Sequence, residues 1–442
     1  MAKRIILLLD GTWNDADEGP ADTNIVRLRE RIAAFLAGSG KSNSASPTAA
    51  SQQTYVMSGK RGAMDNVVLY ERGVGTSGFL DNLQGGAFGA GLDRNIRRAY
   101  TFLVQNYEPD DEIYIFGFSR GSYTARSLVG CINSVGLLRR GACDAKALSK
   151  LWSCYRTDRA ERIPKMSDEL RGLCLEPDSI KVKCLGVFDT VGALGIPISR
   201  FWRENRDLYG FHDVGLAAIC EHSLHALAID EHREQFEATL WRQQKFIDMD
   251  PRVEQVWFAG AHSDVGGGYI AENARDDQCQ YLDDITLDWM IRRVQVIAGK
   301  EFPVAALEPV SDVALRTEQS YLTAPQHEPR RGFYTLFPSV LRSIGNEPVP
   351  VAPWPLERNV CHDRHAAAIG EAVHISAILR LGETVSIGGT PSIYAPRNLI
   401  AAIAELNRHQ QTLSIVNWDG ELMDQAVARD MLADGLHRAF LN

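Results

Sequence analysis

Apolar positions in this chain fall into short dense runs, separated by stretches with helical spacing. The first run, Ile5-Ile6-Leu7-Leu8-Leu9, stops at Asp10-Gly11-Thr12-Trp13-Asn14 and predicts a buried strand over 4–10. From Thr23 to Leu36, Ile25, Leu28, Ile32 and Leu36 recur at helical intervals, with Thr23 as a suitable N-cap. Gly38 to Gln53 is rich in Ser, Ala and Gly and reads as a mobile loop. Val67 to Glu71 predicts a second strand, and a glycine-dense stretch runs from Gly73 to Gly91. Leu92 to Tyr107 is amphipathic, with Leu92, Ile96, Ala99 and Leu103 on one face. A compact strand over Glu112–Phe116 precedes a helix from Gly121 to about Leu137. Two further strands, Ile180–Phe188 and Gln255–Phe258, run straight into polar residues, and Tyr281–Ile297 reads as a helix. Beyond residue 300 the pattern weakens to a Pro-rich stretch at 346–355 and a helix-like segment at 397–408.

Strands alternating with helices argue for an α/β fold, a mostly parallel sheet with helices on both faces. The expected organisation is a catalytic domain over 1–300 and a less regular C-terminal region over 301–442, an extension or lid packed on it. Composition adds little but excludes much. With 45% hydrophobic and 23% charged residues in 442, the chain is neither disordered nor collagen-like. A formal charge of −9 without a long basic run disfavours a nucleic-acid partner. Eight scattered cysteines without a CxxC pair signal neither a zinc ribbon nor a disulfide scaffold. The apolar run after Lys3-Arg4 is too short for a secretory signal, and no stretch reaches the roughly 20 residues of a membrane span. The expectation is a chain that is cytoplasmic as synthesised, with export lacking a cleaved signal left open.

The strongest chemical signal is Gly117-Phe118-Ser119-Arg120-Gly121, a G-x-S-x-G pattern between a strand and a helix. The serine of such an elbow projects above the sheet, and its glycines let strand and helix approach closely. A nucleophilic serine needs a base, and the base needs an orienting acid. Asp189 closes an apolar strand, where a carboxylate is costly unless paired, and is the candidate acid. His262 follows Val256-Trp257-Phe258 and precedes several glycines; it is the candidate base, with Asp264 the competing acid. For the oxyanion hole, the amide after the nucleophile, Arg120, pairs with Gly11 or Thr12 of the first strand's loop. Asp10 there could instead serve only to form the turn.

Other clusters carry weaker signals. His222, His225 and His232, with Asp230, could share a helix face, but they lack zinc-protease spacing. Cys361, His362 and His365 are similar, so no metal or other cofactor is expected. Gly73-Val74-Gly75-Thr76-Ser77-Gly78 matches G-x-G-x-x-G, yet the glycines after it disfavour the helix a dinucleotide site requires.

Taken in order, Leu9-Asp10-Gly11-Thr12-Trp13-Asn14, Thr23-Asn24-Ile25, Gly73-Val74-Gly75-Thr76, the Ser119 elbow, Val187-Phe188-Asp189-Thr190-Val191 and His262-Ser263-Asp264-Val265-Gly266-Gly267-Gly268-Tyr269 resemble one family. It is the bacterial α/β-hydrolase domain family that includes the catalytic domain of type VI secretion lipase effectors. The matching blocks span about residues 4–295. The resemblance implies an α/β-hydrolase-like fold and a serine hydrolase acting on ester or lipid substrates, phospholipids among them. It supports Ser119 as nucleophile, and it implies an immunity or secretion partner if the chain is an effector. Effector members are often longer and carry a membrane-anchoring region, which leaves a cytosolic esterase as a variant. The competing class is a non-catalytic binding module on a degenerate hydrolase fold.

Overall fold

The computed structural model describes residues 2–11, 22–38, 54–61, 64–73, 87–157, 166–191, 215–242, 252–269, 281–299, 302–304, 319–336, 339–345, 357–359 and 368–441. Nine strands form its central sheet: β1 (Lys3–Leu9), β2 (Thr54–Arg61), β3 (Met64–Glu71), β4 (Glu112–Phe118), β5 (Val182–Phe188), β6 (Ser223–Ala228), β7 (Val253–Phe258), β8 (Glu371–His374) and β9 (Ile415–Val416). Their order is β9-β8-β7-β6-β5-β4-β1-β3-β2, and only the edge pair β2–β3 is antiparallel.

The dense apolar runs follow from this arrangement, because a parallel strand is buried on both faces. Along β1, Ile5, Leu7 and Leu9 point to one face and Ile6 and Leu8 to the other. The first face is covered by α2 (Ala87–Asn106) and α3 (Arg120–Val135), through Ile96, Leu103, Leu128 and Ile132. The second is covered by α1 (Asn24–Leu36) and α5 (Leu282–Ala298), through Ile25, Ile32, Ile285 and Trp289. This is the α/β layering expected. Thr23 caps α1, its Oγ1 accepting from the Val26 amide at 3.2 Å.

Two differences from the sequence reading bear on the site. Residues 222–232 are not a helix: Ser223–Ala228 is a central strand, fully buried. Its Leu and Ala are good helix formers, but burial between β5 and β7 overrides that preference. The sheet also continues past residue 300. Strands β8 and β9, with α6 (Ile375–Arg380), α7 (Arg397–Arg408) and α8 (Gln425–Leu441), build a third apolar cluster that meets Trp257 of β7. Residues after 300 are thus constituents of the sheet as well as a cover. The loop expected over 38–53 lies, apart from Gly38, outside the described residues, as does 74–78 of the glycine-rich pattern.

Candidate active site

Parallel strands in register deliver their C-terminal ends to one edge, and the candidate residues lie there. Leu9 of β1 pairs with Gly117 of β4, Phe118 with Phe188 of β5, and Ala228 of β6 with Phe258 of β7. Asp10, Ser119, Asp189 and His262 each follow one of these strands within a few residues. Open α/β sheets place their ligands at this end.

Ser119 occupies the turn between β4 and α3 at φ 56° and ψ −120°, a conformation few L-residues adopt. Its amide donates to the Phe188 carbonyl at 3.1 Å, and the neighbouring Ser122 hydroxyl donates to the same oxygen at 2.8 Å. Close packing enforces the turn. A Cβ on Gly117 would lie 2.6 Å from the Gly121 carbonyl oxygen. Asp189, at the end of β5, is also at positive φ, 38°.

His262 opens a one-turn helix, α4 (His262–Gly266), rather than a plain loop. Its Nε2 lies 2.8 Å from Ser119 Oγ, and its Nδ1 lies 2.5 Å from Asp189 Oδ2. A proton on Nδ1, shared with the carboxylate, leaves Nε2 to accept from the serine hydroxyl. The imidazole packs against a tilted Phe118 ring and an edge-on Phe236 ring, with ring centroids at 4.8 and 5.0 Å. Its backbone amide donates to Glu231 Oε2 at 3.3 Å. All three side chains are buried, Asp189 completely.

The electrostatics favour an ionised acid. Burial pushes the Asp189 carboxyl up, but the Arg342 guanidinium and the bond and charge of His262 outweigh it. The net result lies well below the usual carboxylate range. Arg342 Nη1 donates to Oδ1 at 2.6 Å and Nη2 to Oδ2 at 3.0 Å. The Ala228 amide adds a bond to Oδ1 at 3.0 Å. Glu231 behaves alike: burial raises it, the paired Arg233 lowers it further, and its carboxyl settles at about 2.

The competing acid is placed elsewhere. Asp264 sits in the first turn of α4, and its Oδ2 accepts from the Ala261 amide at 2.9 Å and the His327 amide at 3.1 Å. Its Oδ1 meets His327 Nδ1 at 2.7 Å, while His262 Nδ1 faces Asp189. Asp264 therefore fixes the helix and the 327 segment.

Of the oxyanion candidates, Arg120 opens the first turn of α3, where amides have no intrahelical acceptor. Gly11 lies against the elbow, where a Cβ would come 3.3 Å from that of Ser119. Its amide donates to Asp10 Oδ1 at 2.8 Å. Asp10 forms the turn, as its alternative reading had it. Its carboxyl also accepts from Thr23 Oγ1 at 2.8 Å and Tyr70 Oη at 2.9 Å, and burial raises it to about 6 against those bonds. Thr12 lies outside the described residues.

The histidine cluster is dispersed. His225 lies on β6, whereas His222 precedes that strand, so the two are not neighbours on a helix face. His225 is buried, accepts from the Thr190 amide at its Nε2, and faces Gln255 through Nδ1. Burial holds its imidazole down at about 3. His232 pairs with Glu328. Among the described residues no group of three or more His, Cys, Asp or Glu is arranged for a metal; Cys361, His362 and His365 are not described. Sequence reasoning missed Arg342, Glu231 and His327. Glu231 had a weak signal, a carboxylate just past an apolar strand; Arg342 had none.

A family model described as "T6SS, Phospholipase effector Tle1-like, catalytic domain" matches residues 3–293. An uncharacterized protein of Saccharomyces cerevisiae, YEL023C, is 30% identical over 266 residues, 55% of this chain and 33% of its own length. This chain therefore spans about a third of that relative. Among solved structures, an uncharacterized protein from Pseudomonas aeruginosa is 18% identical with a TM-score of 0.40, over 70% of this chain and 47% of that one. The Tle1 effector bound to the VgrG spike of the type VI secretion system is 19% identical with a TM-score of 0.32, over 62% and 52%.

Proposed function

Because this chain belongs to the Tle1-like phospholipase effector family, as its catalytic domain, we propose that it is a serine hydrolase of carboxylic esters, phospholipid acyl esters foremost. The observation that carries the reading is the continuous hydrogen-bonded row Ser119 Oγ, His262 Nε2, His262 Nδ1 and Asp189 Oδ2. In this reading Nε2 takes the Ser119 proton as Oγ attacks the ester carbonyl carbon. Asp189 stabilises the imidazolium that forms without itself taking the proton. The developing oxyanion receives the Arg120 amide, supported by the first turn of α3. The tetrahedral intermediate collapses as His262 returns its proton to the departing alcohol. Water then attacks the acyl-serine by the same proton path in reverse and releases the acid.

Lipid as substrate comes from the family alone, as do an immunity protein and a secretion-apparatus partner. Among the described residues no helix is long and apolar enough to cross a membrane. The test is a panel of p-nitrophenyl esters and phospholipid vesicles with a fluorophosphonate probe, run beside Ser119→Ala. Hydrolysis and labelling that both vanish in the variant support the reading. A wild-type chain that neither labels nor hydrolyses any ester returns the fold to a binding role.

A further inference from the structure

The residue gripping Asp189 comes from outside the family-matched segment. Arg342 follows the short strand Ser339–Leu341 and is buried. Besides its two bonds to Asp189, Nη1 donates to the Ala228 carbonyl at 2.9 Å and Nη2 donates to the Phe236 carbonyl. The guanidinium thus spans the acid, the end of β6 and the segment whose Phe236 packs on His262. The chain around Arg342 is itself held. Asn398 of α7 donates to the Arg342 carbonyl at 3.2 Å and the Ile229 carbonyl at 2.9 Å, and the Gly345 amide donates to Glu371 of β8. Residues beyond 293 therefore build the wall behind the candidate acid.

We infer that Arg342 is a positioning residue: its planar fork fixes the Asp189 carboxylate against His262 Nδ1, and its charge balances that carboxylate so that His262 serves as the neutral base. A fork of this shape fits both carboxylate oxygens at once, which a lysine ammonium does not. The inference rests on the Ser119–His262–Asp189 reading.

The charge balance around the imidazole gives the test its sign. Glu231 faces His262 from the segment after β6, but Arg233 pairs with it through two side-chain bonds and its backbone amide. Glu237, beside Arg342 and Arg242, has its carboxyl pushed up by burial to about 8. His225 on β6, whose ring nitrogens meet the Thr190 amide and Gln255, is held neutral by burial, with Arg126 and Asp189 acting on it only through their charge. Removing Arg342 leaves Asp189 uncompensated, so imidazolium persists to higher pH.

The experiment uses the full chain as wild type, Arg342→Gln, Arg342→Lys and Ser119→Ala. It measures kcat/KM against pH with a soluble p-nitrophenyl ester, circular dichroism, and the low-field imidazole N–H proton resonance of His262. Arg342→Gln is expected to lower the plateau about tenfold or more and to move the acid limb up by about one pH unit. Arg342→Lys should lower the plateau while leaving the limb within about 0.3 unit of wild type, because the charge remains. A folded Arg342→Gln with an unmoved limb overturns the inference, whatever its plateau. So does Arg342→Lys shifted as far as Arg342→Gln. If the Gln variant does not fold, the Lys variant decides: a lowered plateau with an unmoved limb supports the inference, and a wild-type plateau overturns it. Activity persisting in Ser119→Ala would instead sink the functional reading. The imidazole proton, followed without turnover, still decides Arg342: its titration moves up in the Gln variant if the inference holds and stays put if it does not.

Discussion

Gly121 and Leu9 touch backbone to backbone: a Cβ placed on Gly121 would lie 2.1 Å from the Leu9 carbonyl oxygen. This contact brings the first turn of α3 down onto the end of β1 and packs the Ser119 elbow against the Asp10-Gly11 turn. Because backbone cannot swing aside, Gly121→Ala is expected to destabilise the fold by about 2 kcal/mol or more. Gly141→Ala, in open space, should stay within about 0.5 kcal/mol. Urea denaturation of both variants checks this; equal midpoints would show that the elbow relaxes freely.

Ser119 carries both the candidate nucleophile and a strained backbone. Ser119→Ala is expected to reduce hydrolysis about 10⁴-fold or more with an unchanged circular dichroism spectrum. Ser119→Gly should be equally inactive yet about 1 kcal/mol more stable than Ser119→Ala, because glycine adopts φ 56° without a Cβ penalty. A Gly variant no more stable than the Ala variant would mean that the turn stores no strain.

Asp189 and Asp264 separate by their partners. Asp189→Asn keeps one oxygen for the Ala228 amide and Arg342 Nη1 but turns an NH2 toward His262 Nδ1, so the tautomer is no longer fixed and kcat should fall about 10⁴-fold. Asp264→Asn retains an oxygen that can accept from the Ala261 and His327 amides, so kcat should stay within about tenfold, with a stability loss of about 1 kcal/mol. Measured kcat values in the opposite order would transfer the acid role to Asp264.

His225 predicts a pH dependence of folding. Its folded form titrates at about 3 because burial penalises the cation, whereas an unfolded histidine titrates near ~6.5. Between these values the unfolded chain binds the extra proton, so stability falls as pH drops from about 6.5 toward 3. The slope from this group reaches at most about 1.4 kcal/mol per pH unit. His225→Gln keeps an acceptor for the Thr190 amide but cannot titrate. Wild type should therefore lose stability steadily relative to the variant as pH falls from about 6.5 to 4. A constant difference across that range would remove His225 from the acid sensitivity of the fold.

The strands that end in Asp10, Ser119, Asp189 and His262, and those candidate residues on their tips, are legible in the chain. Runs such as Ile5–Leu9 and Glu112–Phe116 can only be buried on both faces, and the Gly117–Gly121 pattern places a serine at a turn that only small neighbours permit. Ser119, Asp189 and His262 were legible because each ends an apolar run with a residue that is costly to bury alone. Periodicity failed at Ser223–Ala228, where both faces are covered and composition favours a helix. Tertiary structure alone decided which carboxylate meets the imidazole. Asp264 is nearer in sequence, two residues from His262, but on α4 its carboxylate turns back to the Ala261 amide. Tertiary structure also turned the Gly11 amide toward Asp10 and carried Arg342, 153 residues away, onto Asp189. The reason is physical. Local pattern reports whether a side chain is buried, whereas the partner that makes a buried charge tolerable is chosen by the packing of distant segments, and no spacing in the chain records it.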